Sequence, residues 1–252
     1  MLPIADENER GHGPAVVSLA FIAINIVVFL LLQGAGGPSG EDFTYGYSAV
    51  PFEITHGVDL VEPTEIVVGD TTVPIPQEPG PSPIWLTLVT SIFMHGGLLH
   101  LGGNMLFLWI FGDNVEHRVG HVLYLVFYLV AGIIASFAQI LVDTDSYIPT
   151  LGASGAISGV LGAYLVMFPT NRVTVLFLRF PMQVPALVAI GLWAVFQFVS
   201  GIGALGGEEG GGGVAYMAHI GGFVFGVVAG LGFRAIFSEP RRPRGTPASA
   251  YR

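Results

Sequence analysis

Cysteine is absent from the 252 residues, and so is lysine, since all nine basic residues are arginine. The first absence removes disulfide frameworks, thiol nucleophiles, iron–sulfur clusters and cysteine-type zinc sites. Charge of either sign is scarce, at 11% of residues against about 25% in an ordinary soluble domain. The balance is acidic, with 9 basic against 18 acidic residues and a formal charge of −9, so there is no basic face for nucleic acid. Apolar residues fill the chain instead: 52% are hydrophobic and the mean hydropathy is +0.69. That composition excludes disorder and disfavours a water-soluble globule, and the length suits one membrane domain.

A hydrocarbon core about 30 Å thick calls for about 20 largely apolar helical residues. Six stretches meet or approach this: Ala15 to Leu32, Leu98 to Gly112, Val122 to Val142, Leu151 to Phe168, Val184 to Ile202 and Val214 to Phe237. The second carries His100 and Asn104, and the apolar run Trp85 to Met94 before it suits the outer interface. The first is longer than the apolar part of a signal peptide and follows an acidic tail, so it reads as a retained span. Arg10, Arg118, Arg172, Arg179 and the five arginines from Arg234 onward all fall on one side of the alternation, as expected of short cytoplasmic loops. The expectation is an all-α membrane protein, a six-transmembrane-helix bundle over residues 15–237 with both termini cytoplasmic. Residues 1–14 and 238–252 are then cytoplasmic tails, the second basic and disordered. Residues 33–84 form a long acidic outer loop and 203–213 a glycine-rich one. The scarcity of lysine and the acidic loop fit a prokaryotic plasma membrane.

A polar side chain inside a bilayer is costly enough that it usually faces the bundle interior and often marks function. Here the set is Asn25, His100, Asn104, Ser136, Gln139, Ser154, Ser158, Gln197, Ser200 and His219. In the orientation above, spans two, four and six run inward from the outer face. His100, Asn104, Ser154 and His219 then share one layer, roughly 5 to 10 Å below the boundary at about 1.5 Å per residue. His100 and Asn104 lie on one helix face. Gly155, Gly159 and Gly162 in span four, and Ala215, Gly222, Gly226 and Gly230 in span six, form stripes of small residues that let membrane helices approach closely. Packing through those stripes brings Ser154 and His219 toward hydrogen-bond reach. Asn25 and Gln197 read as satisfying neighbouring helices.

Such a layer supports acyl transfer. A serine hydroxyl becomes a competent nucleophile when a neutral imidazole accepts its proton, and the same imidazole then protonates the leaving amine. Donors aimed at the oxyanion, worth about 3 to 4 kcal/mol each by deletion, would come from His100, Asn104 and the backbone N–H of Ser154. No carboxylate shares the layer, so the pattern points to a Ser/His dyad that needs neither metal nor cofactor. A three-histidine zinc site at His95, His100 and His219 is the rival by ligand type, and it lacks an acidic partner at that depth.

The runs His95-Gly-Gly-Leu-Leu-His100-Leu-Gly-Gly-Asn104, Gly152-Ala-Ser154-Gly155 and Ala218-His219-Ile-Gly-Gly222 fall in order on spans two, four and six. Together they resemble the rhomboid family of intramembrane serine proteases. The resemblance implies a serine endopeptidase that cuts membrane-anchored proteins near the outer membrane boundary, with Ser154 as nucleophile, His219 as general base and His100 with Asn104 as oxyanion hole. It implies structural support from His95, Gly152, Gly155 and Gly222, and from Glu116 as the acidic residue that ties helix ends at the cytoplasmic side. It further implies that span five and the glycine-rich loop gate a substrate helix. Two positions depart from the family pattern: Ser158 stands where well-studied bacterial members stack a tyrosine on the histidine, and Trp85-Leu86 where a Trp-Arg pair is often found. The alternatives are a catalytically silent relative that binds or escorts membrane proteins, and a small-solute transporter, which would call for charged pathway residues or broken helices. The expected partners are membrane-anchored substrates and the lipid bilayer, and the residues carry no sign of an oligomeric state.

Overall fold

The computed structural model of the protein describes residues 2–7, 13–68, 70–205 and 214–237. In chain order it has β1 (Leu2–Asp6) and α1 (Val16–Val27), which runs on as a π-helical turn, Val28–Leu32. Next come α2 (Glu41–Tyr47), α3 (Pro51–His56), β2 (Thr64–Val68), β3 (Thr71–Ile75) and α4 (Thr87–Thr90). The remainder is α5 (Leu98–Val119), α6 (His121–Ile140), α7 (Ser154–Met167), β4 (Arg172–Phe177), β5 (Phe180–Pro185), α8 (Ala186–Leu205) and α9 (Tyr216–Ile236).

Three of the helices, α6, α8 and α9, are each long and apolar enough to cross a bilayer. A fourth crossing is obtained when α5 is taken with the segment Ile84–Phe93, from which it is bent by 79°. The first and fourth expected spans are shorter apolar helices, Val16–Leu32 and Ser154–Met167. At about 1.5 Å per residue, α7 is roughly 21 Å long, less than a core of about 30 Å. It starts at Ser154 rather than Leu151 because the chain turns first. Gly152 has φ +129°, a backbone conformation that glycine alone adopts without strain, and its N–H is bonded to the Ser91 carbonyl at 2.9 Å.

The core is a seam between α7 and α9. A methyl group on Gly222 would collide with the Gly155 carbonyl, and one on Gly226 with the Gly159 carbonyl. The two backbones are therefore in contact, as the stripes of small residues require. Helix α6 closes the seam with Ala131 and Ala135, which lie against Gly159 and Gly155. Every residue of α7 from Gly155 to Tyr164 is buried. Helix α8 is built differently: Leu187, Leu192, Val195, Phe196, Val199 and Ile202 are each more than half exposed.

Two small sheets depart from the all-α expectation. Strand β1 pairs antiparallel with β4 and β4 with β5, while β2 and β3 form a separate hairpin. Alternation explains β4, whose Val173 and Val175 are buried between the more exposed Arg172, Thr174 and Leu176. Residues 2–6 are thus part of the fold and not a free tail. The Asp6 carboxylate accepts from Asn114 Nδ2 on α5 at 2.7 Å and from the Tyr164 hydroxyl on α7 at 2.6 Å. Residues 33–84 are likewise more than a loop. The backbones of Ala49 and Thr150 pair at 3.0 and 2.8 Å, and Gln77 Nε2 donates to the Tyr147 carbonyl at 3.0 Å. These bonds pin the acidic insertion to the segment that leads into α7. The expected glycine-rich loop beyond Leu205 and the basic tail 238–252 lie outside the described residues.

Candidate active site

Ser154 is the first residue of α7, and His219 lies in the first turn of α9. Because the two helices touch along their glycines just below, short side chains can meet: Ser154 Oγ and His219 Nε2 are 2.7 Å apart. The other ring nitrogen, Nδ1, is 2.8 Å from Gln197 Oε1 on α8. A neutral imidazole has one N–H and one lone pair. A proton on Nδ1 would be donated to the Gln197 carbonyl oxygen and would leave the Nε2 lone pair to accept the Ser154 O–H.

The pair stands at the wall of a cavity of about 880 Å³, which His100, Asn104, Trp193 and Pro51 also line. Asn104 Nδ2 is buried with no hydrogen-bond partner among the described residues, so it is a donor in reserve. His100 Nδ1 accepts the Gly96 N–H at 3.3 Å, which leaves its Nε2 as a second donor. That Nε2 would lie 3.0 Å from a Cβ on Gly152, so position 152 admits no side chain. At the far edge of the layer, Gln139 Oε1 accepts the Ala218 N–H at 3.3 Å and ties α6 to α9 beside His219.

The other expected residues are elsewhere. His95 is 1% exposed, with its ring edge-on to that of His100 at 5.0 Å between centroids. Its backbone N–H and carbonyl are both bonded to the Gln33 side chain, at 2.8 and 3.1 Å. Gln33, a residue that the sequence reading passed over, is thus what fixes this turn. Glu116 is fully enclosed at the opposite end of α5. It accepts from the N–H groups of Val17 and Ser18 at 2.8 Å each and from Ser18 Oγ at 2.7 Å, and it meets His121 Nδ1 at 2.6 Å. It holds the starts of α1 and α6 to the end of α5.

Ser158 donates to the Ser154 carbonyl at 2.6 Å and does not touch the imidazole. Aromatic company comes from other elements: the rings of Trp193 on α8 and Tyr216 on α9 lie 6.3 and 6.5 Å from that of His219. The one available signal in the sequence was the spacing of Trp193 and Gln197, four residues apart and therefore on one face of α8.

The family model for the rhomboid domain matches residues 83–236, a range that contains every residue around this cavity except Pro51. The chain belongs to the rhomboid family. This rhomboid is similar to Rhomboid protease GluP of Bacillus subtilis (strain 168), with 33% identity over 161 residues that cover 64% of this chain and 26% of that one. It is similar to Rhomboid protein 1, mitochondrial, of Saccharomyces cerevisiae, with 32% identity over 163 residues, 63% of this chain and 45% of the yeast one. The Presenilin-associated rhomboid-like protein, mitochondrial, of Homo sapiens is 38% identical over 93 residues, 36% of this chain and 24% of the human one. The chain therefore spans less than half the length of these relatives. Family and apolar helices together make it a multi-pass membrane protein. The relatives are bacterial and mitochondrial, so the likeness gives no support to the prokaryotic plasma membrane expected from composition.

Proposed function

We propose that this rhomboid is an intramembrane serine endopeptidase that hydrolyses peptide bonds of membrane-anchored proteins near the outer boundary of the bilayer. In this reading the chain crosses six times with both termini cytoplasmic, an arrangement supported by the one-sided arginines and by the packing of the two shorter apolar helices into the same bundle. The carrying observation is the 2.7 Å contact between Ser154 Oγ and His219 Nε2 at the wall of a large cavity. Ser154 Oγ attacks the scissile carbonyl carbon while Nε2 takes the hydroxyl proton. The resulting oxyanion is met by Asn104 Nδ2, by His100 and by the Ser154 N–H, which as the first of a helix has no intrahelical acceptor. The imidazolium returns its proton to the leaving nitrogen, and an acyl-serine ester remains. Water in the cavity then attacks the ester as His219 again removes a proton, which frees the carboxylate product and restores Ser154.

The test is cleavage of a single-span substrate by purified protein in liposomes. Ser154→Ala and His219→Ala should each lose at least about a thousandfold in kcat. Asn104→Ala should lose about a hundredfold. Unchanged cleavage by the first two variants would exclude the dyad. A fluorophosphonate probe should label the parent and fail to label Ser154→Ala, and absence of labelling in the parent would mark a catalytically silent relative.

A further inference from the structure

A general base at His219 works only in one tautomer. If the proton sat on Nε2, the ring would donate to Ser154 Oγ and would have no lone pair to receive its hydrogen. Something must therefore hold the proton on Nδ1 and keep the ring from turning. Ser158 cannot, because its hydroxyl is bonded to the Ser154 carbonyl. Among the described residues no carboxylate is hydrogen-bonded to the ring: Asp143 lines the cavity but accepts from the Asp145 N–H, Glu116 is bonded to the starts of α1 and α6, and Asp6 to Asn114 and Tyr164. The group that faces Nδ1 is the Gln197 carbonyl oxygen at 2.8 Å, on a side chain that is 7% exposed.

We infer that Gln197 is the positioning residue of this site and completes a Ser154–His219–Gln197 relay, with one member on each of α7, α9 and α8. The inference rests on the dyad reading above. An amide suits the place. It supplies the acceptor that selects the Nδ1–H tautomer, and its dipole favours the imidazolium that forms when Ser154 gives up its proton. Being neutral, it adds no buried charge to a membrane interior, where an ionised partner is costly. Trp193, one turn earlier on α8, borders the same ring, so one helix face supplies a polar and an aromatic neighbour. The departure at position 158 is thereby made good from a different helix.

Two measurements on the full chain in detergent or liposomes test this. In protein labelled with ¹⁵N-histidine, with His219→Gln used to assign the signal, the parent should show His219 protonated at Nδ1, and Gln197→Met should show a mixture of tautomers. A parent in the Nε2–H form overturns the inference whatever the activity. Kinetically, Gln197→Met should lower kcat about 10- to 100-fold, as loss of an orienting partner does, with KM unchanged. Gln197→Glu should keep most of kcat while the acidic limb of the kcat/KM profile moves up by about one pH unit, because a carboxylate holds the imidazolium more strongly. A purely structural role for Gln197 would leave that limb in place. An unmoved limb, or a Gln197→Met variant with full kcat, overturns the relay while Ser154→Ala remains inactive. If Ser154→Ala cleaves as fast as the parent, it is the dyad that fails, and the tautomer measurement still judges Gln197.

Discussion

Helices α7 and α9 on one side and α8 on the other meet at the same histidine, yet they are held in opposite ways. The first two touch through backbone, with glycines set against carbonyls along their length. The third shows a row of bulky apolar side chains to its surroundings and adds Gln197 and Trp193 to the site. Ser154 and His219 therefore sit on two helices locked backbone to backbone. Gln197, the proposed positioning residue, sits on a helix that lacks such a backbone seam with α7 or α9 among the glycine contacts. Alignment of Ser154 and His219 follows from the α7–α9 seam, and in the proposed reading the readiness of the imidazole follows from the Gln197 contact that α8 supplies.

The contrast can be broken most directly at the seam. Gly226→Leu should force α7 and α9 apart at a cost of about 3 kcal/mol or more, and it should abolish fluorophosphonate labelling through separation of Ser154 and His219. Thermal unfolding in detergent together with probe labelling measures both. Gly162→Ala meets the backbone of Phe223 and Val227 and should cost about 1–3 kcal/mol with labelling reduced rather than lost.

A smaller effect is expected at the sheet. Burial lifts the Asp6 carboxyl from 3.8 to about 6, and Asp113 adds to the rise, while hydrogen bonds from Tyr164 and Asn114 oppose it. The folded state therefore binds more protons than the unfolded one between about pH 4 and 6, so stability falls as pH rises through that window and is level above it. Amide exchange of β1, corrected for intrinsic rates, should show less protection at pH 7 than at pH 4.5. Asp6→Asn, which keeps an acceptor for Tyr164, should remove the difference. The smallest effect belongs to α8, where a Cβ on Gly191 meets nothing within 4 Å. Gly191→Ala should raise stability by up to about 1 kcal/mol through helix propensity alone. Equal melting shifts for Gly191→Ala and Gly226→Ala would dissolve the distinction between the two regions.

Much of the arrangement around Ser154 was legible because membrane helices leave few choices for polar atoms and small residues. The glycine stripes indicated which two helices touch, and the shared depth of Ser154 and His219 indicated where. The partner of Nδ1 was not legible. Gln197 is one of several inward-facing amides, and only the rotation of α8 about its axis decides which neighbour it meets. The start of α7 was missed for a different reason: Leu151 is as apolar as the helix it precedes, and hydropathy does not register the turn at Gly152. The strands fell outside a reading tuned to spans of about 20 residues, although the alternation in β4 and the β-branched runs on either side of Gly69-Asp70 carry the ordinary signals of strand and hairpin.

Strand β1 also bears on how the molecule is assembled. It is made long before its partners, with Asp6 and Tyr164 separated by 158 positions. Until β4 emerges, β1 lacks the strand with which it pairs in the folded protein. The sheet thus closes only after helices α1 to α7 have been made, and its closure ties the two ends of that stretch together.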